Sequence, residues 1–372
     1  MQKGRTRNVF PGGNTSRGFF SYYDYIISAE DANRVFILKG GPGVGKSTFM
    51  RKIADEMTGR GYDAELMHCS SDNESLDGVV IPQIGVALMD GTAPHVIDPA
   101  NPGIIDEIIN MGDCWDDVSM RKNREKAIRI KNEISGYFQA AYGYLKAASH
   151  VYDNSAAIYG SAMDRDSCRI VAEELVQSLF DGIMPARRSG RQRCLFASAI
   201  TPDGLKNFID ELMATNSVYL LLGFPGAGTE IVLEKIKEAA LARGFCTEAF
   251  YCAFNPGKLE HLIVPGLNAA FSTVNKYHKT DACALKTVDF AAMLDERIIE
   301  KRRAEIDYNR HIFDELLDKA VGMIHNAKLL HDELEALYIP CMDFDAVNKK
   351  WEAAMEKILK LADEGTMAIR MR

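Results

Sequence analysis

The chain carries one pattern twice, and a duplication of this length restricts it to a fold that can be built two times over. Shifting the sequence by 183 positions lays GGPGVGKS (40–47) over GFPGAGTE (223–230), and the correspondence continues without a gap. Arg60-Gly61 falls on Arg243-Gly244, Glu65 on Glu248, Cys69 on Cys252, Leu76 on Leu259, Pro82 on Pro265, Ala87 on Ala270 and His95 on His278, giving 14 identities in 56 positions. Upstream, FPGGNTSRGFFSYYD (10–24) pairs with FASAITPDGLKNFID (196–210) once three residues are removed. The period far exceeds that of a solenoid repeat, so it predicts two whole domains. A length of 372 residues agrees, at about 150 to 200 per domain. The expected domains are 1–186 and 191–372, with the seam in the Pro, Gly and Arg-rich stretch Pro185 to Arg191.

Within each copy the local pattern is strand, loop, helix, strand. Val35 to Leu38 reads as a buried strand, Ser47 to Met57 carries helical spacing, and Gly59-Arg60-Gly61 ends that helix. Ala64 to Cys69 is the next strand, and the apolar run from Ile84 closes on Asp90. This alternation predicts an α/β fold with a largely parallel sheet in each domain. Each domain then gains a helical arm, at about 117–180 and 288–363. Its apolar residues recur three and four apart, as in Ala127, Ile130, Ile134, Tyr137, Ala141, Tyr144 and Ala148, and in Phe313, Leu316, Ala320, Met323, Ala327, Leu330, Leu334 and Leu337. Apolar stripes of this kind usually pack on their own domain, and the alternative is a coiled arm that binds a protein partner.

The loop between the first strand and helix has the form G-x-x-x-x-G-K-[ST]. Its residues, Gly40, Gly41, Pro42, Gly43, Val44, Gly45, Lys46 and Ser47 with Thr48 behind them, suit a triphosphate. Glycines let successive N–H groups turn inward around phosphate oxygens, and the helix N-terminus adds positive potential. Lys46 would reach the terminal phosphates and the Ser47 hydroxyl would ligate Mg²⁺. Asp90, at the end of an apolar strand, is the candidate second metal-shell residue, although Asp90-Gly91 also reads as a turn. In the second copy Thr229, Glu230 and Thr273 replace Lys46, Ser47 and Asp90 together. Their joint loss marks the three as one functional unit and the second domain as one without triphosphate chemistry.

Asp72 and Glu74 lie where an acidic group could position water or deprotonate an acceptor hydroxyl, and a solvated loop is the competing reading. His95 persists as His278 and so suits a structural hydrogen bond. Arg17 is a candidate phosphate contact, and Arg187, Arg188, Arg191 and Arg193 read as a solvated basic linker. A net charge of -8 argues against a nucleic-acid-wrapping protein. The cysteines form no CxxC pair and no Cys/His cluster, so neither a disulfide framework nor a structural zinc site is indicated. No segment is apolar enough for a membrane span, and a cytoplasmic protein is expected.

The stretches GGNTSRGFFSYYD, ILKGGPGVGKSTFM and ALMDGTAPHVIDP resemble the P-loop NTPase superfamily, and more narrowly a bacterial family of duplicated P-loop proteins labelled ATPase. That resemblance implies tandem P-loop-type domains, ATP and Mg²⁺ as ligands, and hydrolysis carried by Lys46, Ser47 and Asp90. A kinase acting on a small-molecule or nucleotide acceptor, and an ATP-responsive switch whose arms bind a protein, are the alternative readings.

Overall fold

The structure, a computed structural model, describes residues 2–93, 96–214 and 217–370. The first half of the chain forms β1 (Thr6–Val9), β2 (Gly12–Thr15), β3 (Gly18–Ser21), β4 (Arg34–Lys39), α1 (Lys46–Gly59), β5 (Ala64–His68), β6 (Leu76–Ile81), β7 (Val86–Asp90), β8 (Asp106–Asn110), α2 (Asp117–Lys122), α3 (Arg124–Ala162) and α4 (Arg165–Leu179). The second half repeats most of this as β9 (Gln192–Leu195), β10 (Ser198–Thr201), β11 (Gly204–Asn207), α5 (Ile209–Leu212), β12 (Ser217–Leu222), α6 (Thr229–Ala242), β13 (Thr247–Tyr251), β14 (Leu259–Val264), β15 (Ala269–Val274), β16 (Lys286–Asp289), α7 (Glu296–Tyr338) and α8 (Phe344–Arg370).

Two six-stranded sheets result, ordered β1-β5-β6-β7-β4-β8 and β9-β13-β14-β15-β12-β16, which is one topology used twice. The α/β class holds, but the sheets are mixed. β6 and β14 run antiparallel to both neighbours, while the other pairs are parallel. The cause is connection length: only the turn at Pro82–Ile84 and Gly85 separates β6 from β7, and a parallel crossover needs about a dozen residues. That turn ends in a left-handed residue in both copies, Gly85 at φ 59° and Asn268 at φ 48°.

The compact units cut across the halves expected from the sequence. One unit holds residues 1–11, 21–139 and 323–372, and the other holds 12–20 and 140–322. The arms are therefore exchanged, where packing on their own domains was expected. A helix of 39 residues such as α3 rises about 58 Å, more than a small domain's diameter, so its ends belong to different units. In the first unit α1 presents Phe49, Met50, Ile53 and Met57 to the sheet, and Val347, Met355 and Ile358 of α8 join the same core. In the second, Val232, Leu233 and Ile236 of α6 share a core with Cys168, Ala172 and Leu175 of α4. Fully burying a side chain like Ile358 contributes roughly 1.5–3 kcal/mol, so the borrowed helix is part of the fold it joins.

The exchange is reciprocal down to the backbone. In the first unit Trp115 bridges Met342, Asp116 N–H donates to the Cys341 carbonyl (2.8 Å) and Asp343 N–H to that of Cys114 (2.7 Å). In the second, Met163 bridges Leu294, Asp164 N–H donates to Met293 (3.0 Å) and Asp295 N–H to Ala162 (2.8 Å). The arm seam differs from expectation at two positions. Phe313, Ala320 and Ala327 are buried as expected, but Leu317 and Ile324 replace Leu316 and Met323.

Candidate functional site

The first unit places its glycine loop between the end of β4 and the start of α1. Gly43 (φ 69°) and Gly45 (φ 90°) are left-handed, a conformation that costs a non-glycine residue about 1–2 kcal/mol. Gly45 caps α1 without a side-chain hydrogen bond, so the helix opens on backbone N–H groups. Val44 is fully buried and anchors the loop, while Thr48 is exposed at the first turn of the helix.

Lys46 and Asp90 lie side by side. Lys46 Nζ lies 3.5 Å from Asp90 Oδ2 and donates to the carbonyls of Gly40 (2.9 Å) and Gly41 (2.8 Å). Asp90 ends β7, beside β4 in the sheet, and its Oδ1 accepts from Thr92 N–H (2.8 Å). Thr92 Oγ1 in turn donates to the Gly40 carbonyl (2.8 Å), tying the strand end to the loop. Ser47 Oγ accepts from the N–H of Leu76 at the start of β6 (3.0 Å), and its proton stays available to donate.

Asp72, in the loop between β5 and β6, is already engaged. Its Oδ1 accepts from Glu74 N–H (3.2 Å), its Oδ2 from Ser75 Oγ (2.9 Å), and Lys328 Nζ lies 3.5 Å away. Lys328 also bonds Asp332, and although burial pulls its ammonium down, Asp332 and Asp72 hold it above its usual range. Glu74 is exposed; among the described interactions its backbone takes part, with the carbonyl accepting from Arg51 (2.8 Å). Arg17 belongs to the other unit, where its guanidinium lies against Gly257. Arg193 pairs across strands with Glu248 (3.4 Å), as Arg7 does with Glu65 (3.1 Å). His95 lies outside the described residues.

Sequence reading missed the residues that α7 brings to the loop. Glu335 Oε1 accepts from Gly43 N–H at 3.1 Å, and the ring of Tyr338 covers Gly41 so closely that a Cβ there would sit 2.5 Å from it. A carboxylate oxygen thus accepts from the loop's backbone. His331 lies 3.9 Å from Glu335 on the same helix face. A signal for this face exists in the sequence: at an offset of 179, Asp153, Tyr159, Met163 and Asp164 match Asp332, Tyr338, Met342 and Asp343.

The second unit keeps the backbone and changes the chemistry. Gly226 (φ 81°) and Gly228 (φ 86°) repeat the left-handed pair. Ala156 of α3 stands at the place of Glu335, and a Cβ on Gly226 would come within 2.1 Å of its carbonyl. Phe224 replaces Gly41 and packs on Tyr159 with ring centroids 4.0 Å apart. Thr229 is buried, and neither its hydroxyl nor Glu230 Oε2 has a hydrogen-bond partner among the described residues. A cavity of about 180 Å³ here is walled by the rings of Tyr152, Tyr159, Phe224, Tyr277 and Phe313 together with the polar Asn275, Lys276, Asn309 and Arg310.

Beneath that wall lie ionisable groups removed from water. Lys258 Nζ bonds Glu260 Oε1 at 2.9 Å. Burial alone would raise the Glu260 carboxyl, but Lys258 beside it, with the nearby histidines, holds it down at about 2. Burial drives His261 down to about 3 and lowers His278, so both are neutral rings, His261 sharing a hydrogen bond with Ser272 Oγ (2.8 Å). All eight cysteines are free, and among the described residues no helix is long and apolar enough to cross a membrane. No protein-family model, curated protein or solved structure matches the chain.

Proposed function

We propose that the intact loop of the first unit binds a magnesium nucleoside triphosphate and hydrolyses it, with one such site per chain. The observation that carries this reading is the Gly43 N–H already engaged by an anionic oxygen, in a loop whose Lys46 faces Asp90 across 3.5 Å. Backbone N–H groups from Gly43 to Ser47 would hold the phosphates, and Lys46 would turn from the Gly40 and Gly41 carbonyls to the terminal phosphate oxygens. Ser47 and Asp90 would hold the magnesium, which when bound neutralises charge on those oxygens. Asp72, held by Ser75 and Lys328, would orient water and not accept a proton. ATP is the default nucleotide, because the chain has no NKxD-type guanine-reading motif. Free thiols and the lack of a spanning helix among the described residues suit a cytoplasmic setting.

A second reading, an ATP-responsive switch with little turnover, is favoured by Glu335. A triphosphate must displace its carboxylate from Gly43, and α7 would move with it. Release of ADP from Mg-ATP, compared between the native chain and Lys46→Ala, separates the readings. Steady release lost in the variant supports hydrolysis. Binding without release leaves the switch, and release only when a pool of nucleosides and metabolites is added would replace hydrolysis by phosphotransfer to an acceptor.

A further inference from the structure

Three different metal-ligating side chains converge inside the second unit. Cys252 directly follows β13, Glu260 lies in β14 and His278 follows β15, so strand order brings them to one end of the sheet. All are buried, at 0%, 0% and 2% exposure. Cys252 Sγ and His278 Nε2 are 3.9 Å apart, His278 Nε2 and Glu260 Oε1 are 3.9 Å apart, and the three donor atoms all lie within 4.8 Å of one another. A tetrahedral ion with bonds of about 2.0–2.3 Å sets its donors roughly 3.3–3.8 Å apart, so closure needs shifts of only a few tenths of an ångström for the two short pairs.

The Lys258–Glu260 ion pair does not account for this cluster. It satisfies Oε1 and leaves Glu260 Oε2 and His278 Nδ1 without a hydrogen-bond partner among the described residues, a costly state for buried polar atoms. A thiol 3.9 Å from an imidazole offers that imidazole only a weak hydrogen bond. The duplication supplies independent support. Cys69, Asp77 and His95 occupy the aligned positions, so two identities and one carboxylate persist in a copy that lost its counterparts of Lys46, Ser47 and Asp90. A set that outlasts the phosphate residues answers to a different constraint.

We propose that Cys252, Glu260 and His278 bind a divalent ion of the zinc class. Sulfur, imidazole nitrogen and carboxylate oxygen together suit zinc and disfavour magnesium or calcium, which prefer oxygen alone. Binding exchanges the Cys252 thiol proton for the metal, and the proton leaves to solvent. Glu260 offers the ion Oε1, which Lys258 holds in place 3.9 Å from His278 Nε2, and Oε2 of the same carboxylate has no hydrogen-bond partner among the described residues. The ion would clip the ends of β13 and β14 to the segment after β15, independently of any nucleotide in the first unit.

The donors are fully buried, so the test supplies metal during expression of the full chain, in zinc- or cobalt-supplemented medium. The expected result is bound metal by elemental analysis and, with cobalt, a near-ultraviolet thiolate charge-transfer band with the visible bands of a tetrahedral site. Cys252→Ser should abolish the band and cut bound metal at least about tenfold, while Cys69→Ser should retain both. Should Cys252→Ser fail to fold, Glu260→Gln and His278→Gln provide the same comparison in chains checked by circular dichroism. Folded native protein without metal, or a band that survives Cys252→Ser and disappears in Cys69→Ser, would overturn the assignment.

Discussion

The two glycine loops have one backbone and two chemistries. Left-handed glycines, a strand before, a helix after and an arm helix above recur in both units, yet Lys46, Ser47, Asp90 and Glu335 stand opposite Thr229, Glu230, Thr273 and Ala156. Fold and phosphate chemistry are thus separable demands on the same sequence. The loop shape recurs because α1 and α6 pack their apolar faces on equivalent sheets, whereas the charged residues occur in the first unit, where the proposed triphosphate would sit. In the second unit Phe224 packs on Tyr159 over the loop instead.

The strongest way to break this contrast is to remove the charge that defines it. Lys46→Ala should reduce ATP hydrolysis by about a hundredfold or more, since a lost electrostatic contact in such a site costs on that scale. Thr229→Ala should leave hydrolysis within about twofold. A steady-state assay of both variants checks the pair, and equal losses would erase the distinction between the units.

Acid should separate the units next. His261 is held at about 3 against an ordinary value of 6.5, and His278 is also lowered, so the folded second unit resists protons that the unfolded chain accepts. A depressed histidine contributes stability above its unfolded value that fades as pH falls from about 6.5 toward about 3, on the order of a few kcal/mol for a fully buried ring. Both tryptophans, Trp115 and Trp351, belong to the first unit. Acid melts followed by circular dichroism should therefore show loss of structure before tryptophan fluorescence changes. Coincident transitions would contradict this.

A smaller effect concerns the arm. Glu335→Ala removes the carboxylate that competes for Gly43 and should tighten ATP binding by about tenfold, the worth of one charge-assisted hydrogen bond. A fluorescent nucleotide reads the change, and weaker binding would mean that Glu335 assists the nucleotide. The smallest expected effect comes from restoring motif residues alone. Thr229→Lys with Glu230→Ser should give the second unit no measurable nucleotide binding, because Phe224, Tyr159 and the Ala156 carbonyl still fill the space.

Much of this contrast was legible in the chain itself. The loop motif, the repeat and the α/β class follow from local patterns, whereas the Lys46–Asp90 proximity depends on β7 lying beside β4, which local patterns do not set. The antiparallel β6 was hidden because strand direction depends on a four-residue connection that periodicity does not weigh. The exchanged arms were hidden for a deeper reason. A helix pattern records which face is apolar and says nothing about which sheet covers it, so Glu335 and Tyr338, nearly three hundred residues from Gly43, carried no local mark of belonging to its loop. Only the match of the two arms at an offset of 179 points to them.

The central claim is one triphosphate site per chain, in the first unit. Calorimetric titration of Mg-ATP into the full chain tests it directly. The expected stoichiometry is about one, vanishing in Lys46→Ala and unchanged in Thr229→Ala. Two sites, or binding that persists in Lys46→Ala and is lost in Thr229→Ala, would contradict it.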